Sequence, residues 1–221
     1  MLFRPGLANV CFIGGRFDRN QLAKADTGRL GLNKASAKRR AEFMAGRRCA
    51  AEALYRLAGV HHMPAMGPKR APVWPAGFTG SISHSDTHAA AVVARTRDYC
   101  ALGVDIEPCL AHDRTSALIP ALLTADEQTR LTGACLGEQV TLAFSLKESL
   151  YKALYPLTGT QFYFQDAEVV AASNGRARMR LLTSLNKHWP AGTEVTAKYC
   201  RHGDHLITLV AIAAERTGSG V

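Results

Sequence analysis

The stretch Gly80-Ser-Ile-Ser-His-Ser-Asp-Thr-His-Ala-Ala-Ala-Val-Val-Ala-Arg-Thr-Arg-Asp-Tyr-Cys-Ala-Leu-Gly-Val-Asp-Ile-Glu-Pro108 decides the fold. Gly80–His84 and Ala89–Ala94 read as strands. A turn at Thr96–Asp98 leads into a third, Tyr99–Ile106, which Pro108 closes because proline cannot donate to a ladder. On the N-terminal side, residues 62–80 are dense in proline and glycine and read as a loop. Before that loop, an Ala-rich, helix-favouring segment runs from about Lys34 to Ala58 and is ended by Gly59. Phe43, Ala50, Leu54 and Leu57 fall at helical spacing on its core-facing side.

On the C-terminal side, Thr124-Ala-Asp-Glu127 has the spacing of a capping box. A longer helix is expected from about Gly137 to Tyr155, stopped by Pro156. The remainder reads as a meander: Phe162–Ser173, an Asn174-Gly175 turn, Ala177–Leu182, then Glu194–Arg201 and His205–Ala213 about a His-Gly-Asp turn. Each half is thus a helix with antiparallel strands, the α+β pattern, and the halves (1–102 and 103–221) meet near Leu102.

The 221 residues are 47% apolar and 20% charged, enough to bury a core and too apolar for intrinsic disorder. No run approaches the roughly 18–20 apolar residues of a membrane span, and Met1-Leu-Phe-Arg-Pro-Gly6 lacks the features of a signal peptide. Six scattered cysteines (Cys11, Cys49, Cys100, Cys109, Cys135, Cys200) form no C-x-x-C pair. A cytoplasmic protein with reduced thiols is expected. A net charge of +9 points to anionic partners. The basic excess is concentrated at Lys34, Lys38, Arg39, Arg40, Arg47 and Arg48, against one acid, Glu42. Such a run also suits a merely solvated face.

Three segments carry chemistry. In Gly103-Val-Asp-Ile-Glu-Pro108, Asp105 and Glu107 are two apart on a strand and share a face. They are either solvated carboxylates at a strand end or ligands of a hard divalent ion such as Mg2+. In Phe144-Ser-Leu-Lys-Glu-Ser-Leu-Tyr-Lys-Ala153, Glu148 and Lys152 stand four apart on one helical face. That spacing suits an ordinary surface ion pair, or a third metal ligand or base beside a cation that attracts an anion. Gly80-Ser-Ile-Ser-His84 offers His84 as a structural histidine or a phosphate partner, with Lys69-Arg70 preceding it. The other histidines show no metal-ligand spacing. With neither G-x-G-x-x-G nor a Walker loop, a nucleotide must be held by side chains.

These three segments, in this order, resemble the 4'-phosphopantetheinyl transferase superfamily in its larger, monomeric, two-lobed type. Lys38-Arg-Arg-Ala-Glu-Phe-Met-Ala-Gly-Arg47 and Pro72-Val-Trp-Pro75 are similar to the subgroup of enterobactin synthase component D proteins. The resemblance covers about Lys38 to Pro156. It implies two similar lobes in pseudo-twofold arrangement with the site between them. It also implies Mg2+-dependent transfer of the 4'-phosphopantetheine arm of coenzyme A to a serine of an apo carrier protein, releasing adenosine 3',5'-bisphosphate. Carried over by position, Asp105, Glu107 and Glu148 would ligate Mg2+. Glu148, directly or through water, would deprotonate the serine, and Lys152 would stabilise leaving charge on the diphosphate. Ser83 and His84 would contact coenzyme A phosphates, with Arg47, Lys69 and Arg70 around the 3'-phosphate and adenine. Ile106 stands at the middle ligand position, so that strand supplies only two carboxylates. The expected partners are coenzyme A and an acidic carrier protein, with no nucleic acid and no membrane span.

Two rival readings fit parts of the pattern. A metal-dependent nuclease also uses paired carboxylates with a nearby Glu and Lys, but leaves Gly80–His84 without a role. A non-catalytic nucleic-acid module would use the basic run, yet only Phe43 interleaves its six cations.

Overall fold

The computed structural model describes residues 3–23, 35–133 and 135–215, so the expected helix start at Lys34 lies outside the described residues. Two antiparallel sheets carry the fold. The first has the order β1 (Val10–Arg16), β5 (His88–Arg95), β4 (Phe78–His84). The second has the order β6 (Tyr99–Pro108), β10 (His205–Ala213), β9 (Glu194–His202), β8 (Arg176–Leu181), β7 (Ala167–Ser173). β4 and β6 are the edges at which the sheets meet. Helices α1 (Arg19–Ala23) and α2 (Ala37–Ala58) belong to the first lobe, and α3 (His112–Leu122), α4 (Ala125–Thr129) and α5 (Leu136–Thr158) to the second.

β5 explains the layering. Ala89–Ala94 are all buried, which a strand shows only when both of its faces are covered. Ala90, Val92 and Ala94 pack with Leu102, Val104, Ile106, Ile207 and Leu209, so the inner faces of the two sheets share one core. The alternate residues turn outward to α2: Ala89 meets Phe43 and Met44, and Val93 meets Ala53 and Leu54. On the far side, Leu146, Leu150, Ala153 and Leu154 of α5 pack on Met179, Leu181, Val195 and Val210 of the second sheet.

The long helices begin and end as their residues direct. Ser36 caps α2 by accepting from Arg39 N at 3.2 Å, and Gly59 ends it in the left-handed region. α5 runs past Pro156 to Thr158 and ends at Gly159, which is also left-handed. The expected stop at Pro156 is thereby corrected. In the last turn its missing N–H forfeits a single bond, and the glycine three residues on does the terminating. The strand expected from Phe162 begins at Ala167, because Phe164–Asp166 form a 3-10 turn. Two-residue strands β2 (Ala65–Met66) and β3 (Pro72–Val73) pair within the expected loop. Among the described residues no disulfide forms.

Two glycines set how closely the helices approach. A Cβ on Gly103 would overlap the Ser149 carbonyl oxygen, so α5 rests directly on β6. A Cβ on Gly46 would press on Ile82, which seats α2 on β4. Behind α5, the Thr124–Glu127 capping box forms as expected. Its Glu127 also accepts from the buried Lys147 Nζ at 2.6 Å and from Val169 N at 2.7 Å. Lys147 donates further to the carbonyls of Leu122 (2.8 Å) and Phe164 (2.7 Å), so its three protons are all placed. Burial lowers the Lys147 pKa while Glu127 opposes the shift.

Lys147→Met strands the buried Glu127 carboxylate and should cost about 3–5 kcal/mol in urea unfolding. A loss below about 1 kcal/mol, the level of an exposed pair, would contradict this burial.

Candidate active site

The site forms where the two sheet edges meet between α2 and α5. Asp105 pairs with Thr208 across the β6–β10 ladder and is 1% exposed. Its Oδ1 accepts from Ser83 Oγ at 2.8 Å and Lys152 Nζ at 2.6 Å, and its Oδ2 accepts from Ser145 Oγ at 2.9 Å. Strands from both sheets and one helix thus converge on one carboxylate. Glu107, two residues on, lies on the same face, and Glu148 and Lys152 share a face of α5.

These groups feel one another's charge. Burial, with Asp105 and Glu148 adding, pushes the Glu107 carboxyl from its ordinary 4.5 to about 8, against the pull of Lys152. Glu148 shifts upward as well, chiefly through burial; Lys152 lowers it and Asp105 raises it. Three carboxyl groups therefore crowd one ammonium, and burial beside one another makes each harder to ionise without a further cation. That donor set fits a divalent ion of the Mg2+ type, whose charge would supply that cation. Among the described residues no three His, Cys, Asp or Glu side chains are already gathered as a metal cage.

The α2 side of the crevice has the opposite character. Arg47 is 4% exposed, with its guanidinium carbon 4.7 Å from the Phe43 ring centroid, and its buried Nε has no hydrogen-bond partner among the described residues. Burial, and then Arg39, depress its pKa to about 10. A buried cation of this kind calls for an anion. His84, at the end of β4, has Nε2 3.0 Å from Arg39 Nη1. An arginine only donates, so Nε2 accepts and the ring proton sits on Nδ1, which lies 3.8 Å from Glu42 Oε2. Burial lowers the His84 pKa, opposed by Glu42.

The structure thus brings Asp105, Glu107, Glu148, Lys152 and Ser83 together, with His84 following Ser83 along the edge strand. The Ser83 hydroxyl is directed to Asp105. Lys69 and Arg70 are exposed, in a turn where both adopt positive φ (51° and 66°). Lys69 Nζ hydrogen-bonds the Tyr155 hydroxyl on α5 and lies 5.0 Å from that ring's centroid, so this turn reaches from the first lobe to the second. Beside Glu148 opens a cavity of about 300 Å3 with aromatic walls, Tyr151, Phe162, Tyr163 and Phe164.

Sequence reasoning missed Arg39 and Glu42 as individuals. The available signal was Gly46: a mid-helix glycine marks close approach, and Glu42 and Arg39 lie four and seven residues before it on the same face. Ser145, Ser149 and Thr208 were also missed, as hydroxyls inside apolar elements.

Comparison with known proteins agrees with this architecture. Residues 28–94 match the 4'-phosphopantetheinyl transferase N-terminal domain, and residues 101–210 match the 4'-phosphopantetheinyl transferase superfamily. Enterobactin synthase component D of Salmonella typhimurium is 38% identical over 181 residues, covering 81% of this chain and 74% of that protein. The Escherichia coli K12 protein of the same name is 34% identical over 174 residues, 77% of this chain and 81% of its own length. The 4'-phosphopantetheinyl transferase Svp of Streptomyces mobaraensis is 32% identical over 198 residues, 82% of this chain and 75% of that protein. The chain belongs to the 4'-phosphopantetheinyl transferase superfamily. It is an enzyme that moves the phosphopantetheine arm of coenzyme A onto a carrier protein.

The raised Glu107 pKa has a consequence for stability. The folded protein holds this proton more tightly than the unfolded chain, so the contribution is complete below pH 4.5 and is lost as pH rises through about 8. In EDTA, the melting temperature should fall between about pH 5 and 8.5, and Glu107→Gln should flatten the decline. An equally steep decline in Glu107→Gln would assign it to another group.

Proposed function

We propose that the transfer takes place in the crevice between two lobes, residues 1–102 and 103–221, with Mg2+ held by Asp105, Glu107 and Glu148. Bound there, the ion would neutralise the diphosphate of coenzyme A and polarise the phosphoryl group under attack. The observation that supports this reading is the crowding of three carboxyl groups around Asp105 beside a buried Arg47 whose Nε has no hydrogen-bond partner among the described residues.

The remaining roles belong to the protein's own side chains. Arg47, with Arg39 beside it and Lys69 and Arg70 reaching over from the loop, receives the 3'-phosphate and adenine end. His84, with Ser83 next to it, lines the diphosphate. The uncharged pantetheine arm suits the aromatic cavity beside Glu148. Glu148 takes the proton of the carrier serine, directly or through one water. The serine oxygen bonds to the phosphorus on the pantetheine side, and the bond from that phosphorus to the bridging oxygen breaks. Adenosine 3',5'-bisphosphate leaves with that electron pair. Lys152, now 2.6 Å from Asp105, is within reach of the crevice to stabilise the leaving charge.

The net charge of +9 suits an acidic carrier protein. Among the described residues no helix is long and apolar enough to cross a membrane. We place the enzyme in the cytoplasm as a monomer, and a carrier of siderophore synthesis is the first candidate, after the relatives' names.

Mass spectrometry of an apo carrier protein after incubation with coenzyme A and Mg2+ tests the reading: one added phosphopantetheine is expected, and an unmodified carrier would oppose it. Glu148→Gln should lower kcat by roughly 10²–10⁴-fold, the span of a lost general base. Arg47→Ala should instead raise KM for coenzyme A by about 10–100-fold, the loss of a charged hydrogen bond. Movement of the carrier's KM alone would place Arg47 elsewhere.

A further inference from the structure

Beneath Asp105 lies a row of hydroxyls that the transfer chemistry does not use. Ser145, Ser149 and Thr208 are each fully buried. The two serines occupy the interior of α5, where alanine would favour the helix, and Thr208 faces that helix from the middle of β10. The Asp105 carboxylate only accepts. Ser145 Oγ therefore donates to Asp105 Oδ2 at 2.9 Å. Thr208 Oγ1 lies within donating distance of the Ser145 carbonyl oxygen (2.8 Å) and 2.9 Å from Ser145 Oγ. Ser149 Oγ lies 2.6 Å from Thr208 Oγ1 and 3.2 Å from the Thr208 carbonyl oxygen, and donates to that residue. The three hydroxyls thus form one hydrogen-bonded cluster, of which Ser145 donates to Asp105 and Thr208 holds Ser145 at both its Oγ and its carbonyl oxygen.

The lone pairs of Asp105 make the arrangement asymmetric. Oδ1 is filled by Ser83 and Lys152, whereas among the described residues Oδ2 accepts only from Ser145. One lone pair on Oδ2 is left open, and its direction is set by Ser145. We propose that Ser145 and Thr208, backed by Ser149, are positioning residues that fix the Asp105 carboxylate so that its free Oδ2 lone pair points at the divalent cation. This rests on the reading of Asp105 as a metal ligand given above. A purely structural role, tying α5 to β10, would change stability and leave cation affinity alone.

The test reads cation binding directly. Mn2+ binding is followed by electron paramagnetic resonance on the full chain with saturating coenzyme A and no carrier protein, so that no turnover occurs. Thr208→Val, which keeps shape and removes the hydroxyl, should weaken Mn2+ binding by about 10–100-fold, the usual effect of losing a ligand's supporting hydrogen bond. Ser145→Ala should do the same. Thr208→Ser, which restores the hydroxyl, should bind close to wild type, and this pair decides the matter if Ser145→Ala does not fold. Wild-type Mn2+ affinity in Thr208→Val, or equal loss in Thr208→Ser, overturns the proposal. Asp105→Asn separates the two layers: its loss of binding together with unchanged Thr208→Val overturns the positioning role alone. Unchanged binding in Asp105→Asn overturns the metal reading and the positioning role with it.

Discussion

A carboxylate that is 1% exposed at the meeting of two sheets is the constraint to which the rest of this structure answers. Burying the Asp105 charge without partners would be prohibitive, so partners must arrive from every neighbouring element. Ser83 comes from the edge of the first sheet, and Ser145 and Lys152 come from α5. Gly103, one pleat earlier on the same face, removes the side chain that would hold α5 away. The lobes are joined here by a shared core behind the strands and by hydrogen bonds onto one anion in front. Folding and assembly of the site are for that reason the same event.

Charge on the two walls of the crevice is divided by sign. The β6 and α5 wall holds Asp105, Glu107 and Glu148 against Lys152; the α2 and β4 wall holds Arg39, Arg47 and His84 against Glu42. A ligand that carries phosphates and arrives with a divalent cation would satisfy both. Coenzyme A with Mg2+ has that character, which joins membership of the transferase superfamily to the geometry of this chain.

Much of this was legible from residues, and the reasons are local. Asp105 and Glu107 were placed by the period-2 rule, Glu148 and Lys152 by the four-residue helical spacing, and Gly59 and the Thr124 box by capping chemistry. What escaped depends on tertiary contact. β1 has two glycines and no alternation, and exists by pairing with β5. α3 has Ala111 at its N-cap, which offers no side-chain cap, and contains Pro120, so neither its start nor its continuation is signalled. Lys147 and Glu127 violate the expectation that such residues stay in water, and their pairing spans twenty positions that spacing rules do not reach. Ser83 came from the family resemblance as a phosphate contact; its bond to Asp105, with His84 turned to α2, is a tertiary contact that spacing does not reveal. Among six cations in one run, contact with His84 on β4 singles out Arg39, and burial singles out Arg47.

The central claim, that three carboxylates from β6 and α5 grip one divalent ion against the coenzyme's diphosphate, is tested most directly by a crystal structure with Mg2+ and coenzyme A. The account predicts one ion with oxygen ligands at about 2.0–2.1 Å, drawn from Asp105, Glu107, Glu148 and the diphosphate, with a coenzyme phosphate on Arg47. An ion bound away from Asp105, or a coenzyme lying outside the crevice between α2 and α5, would contradict it.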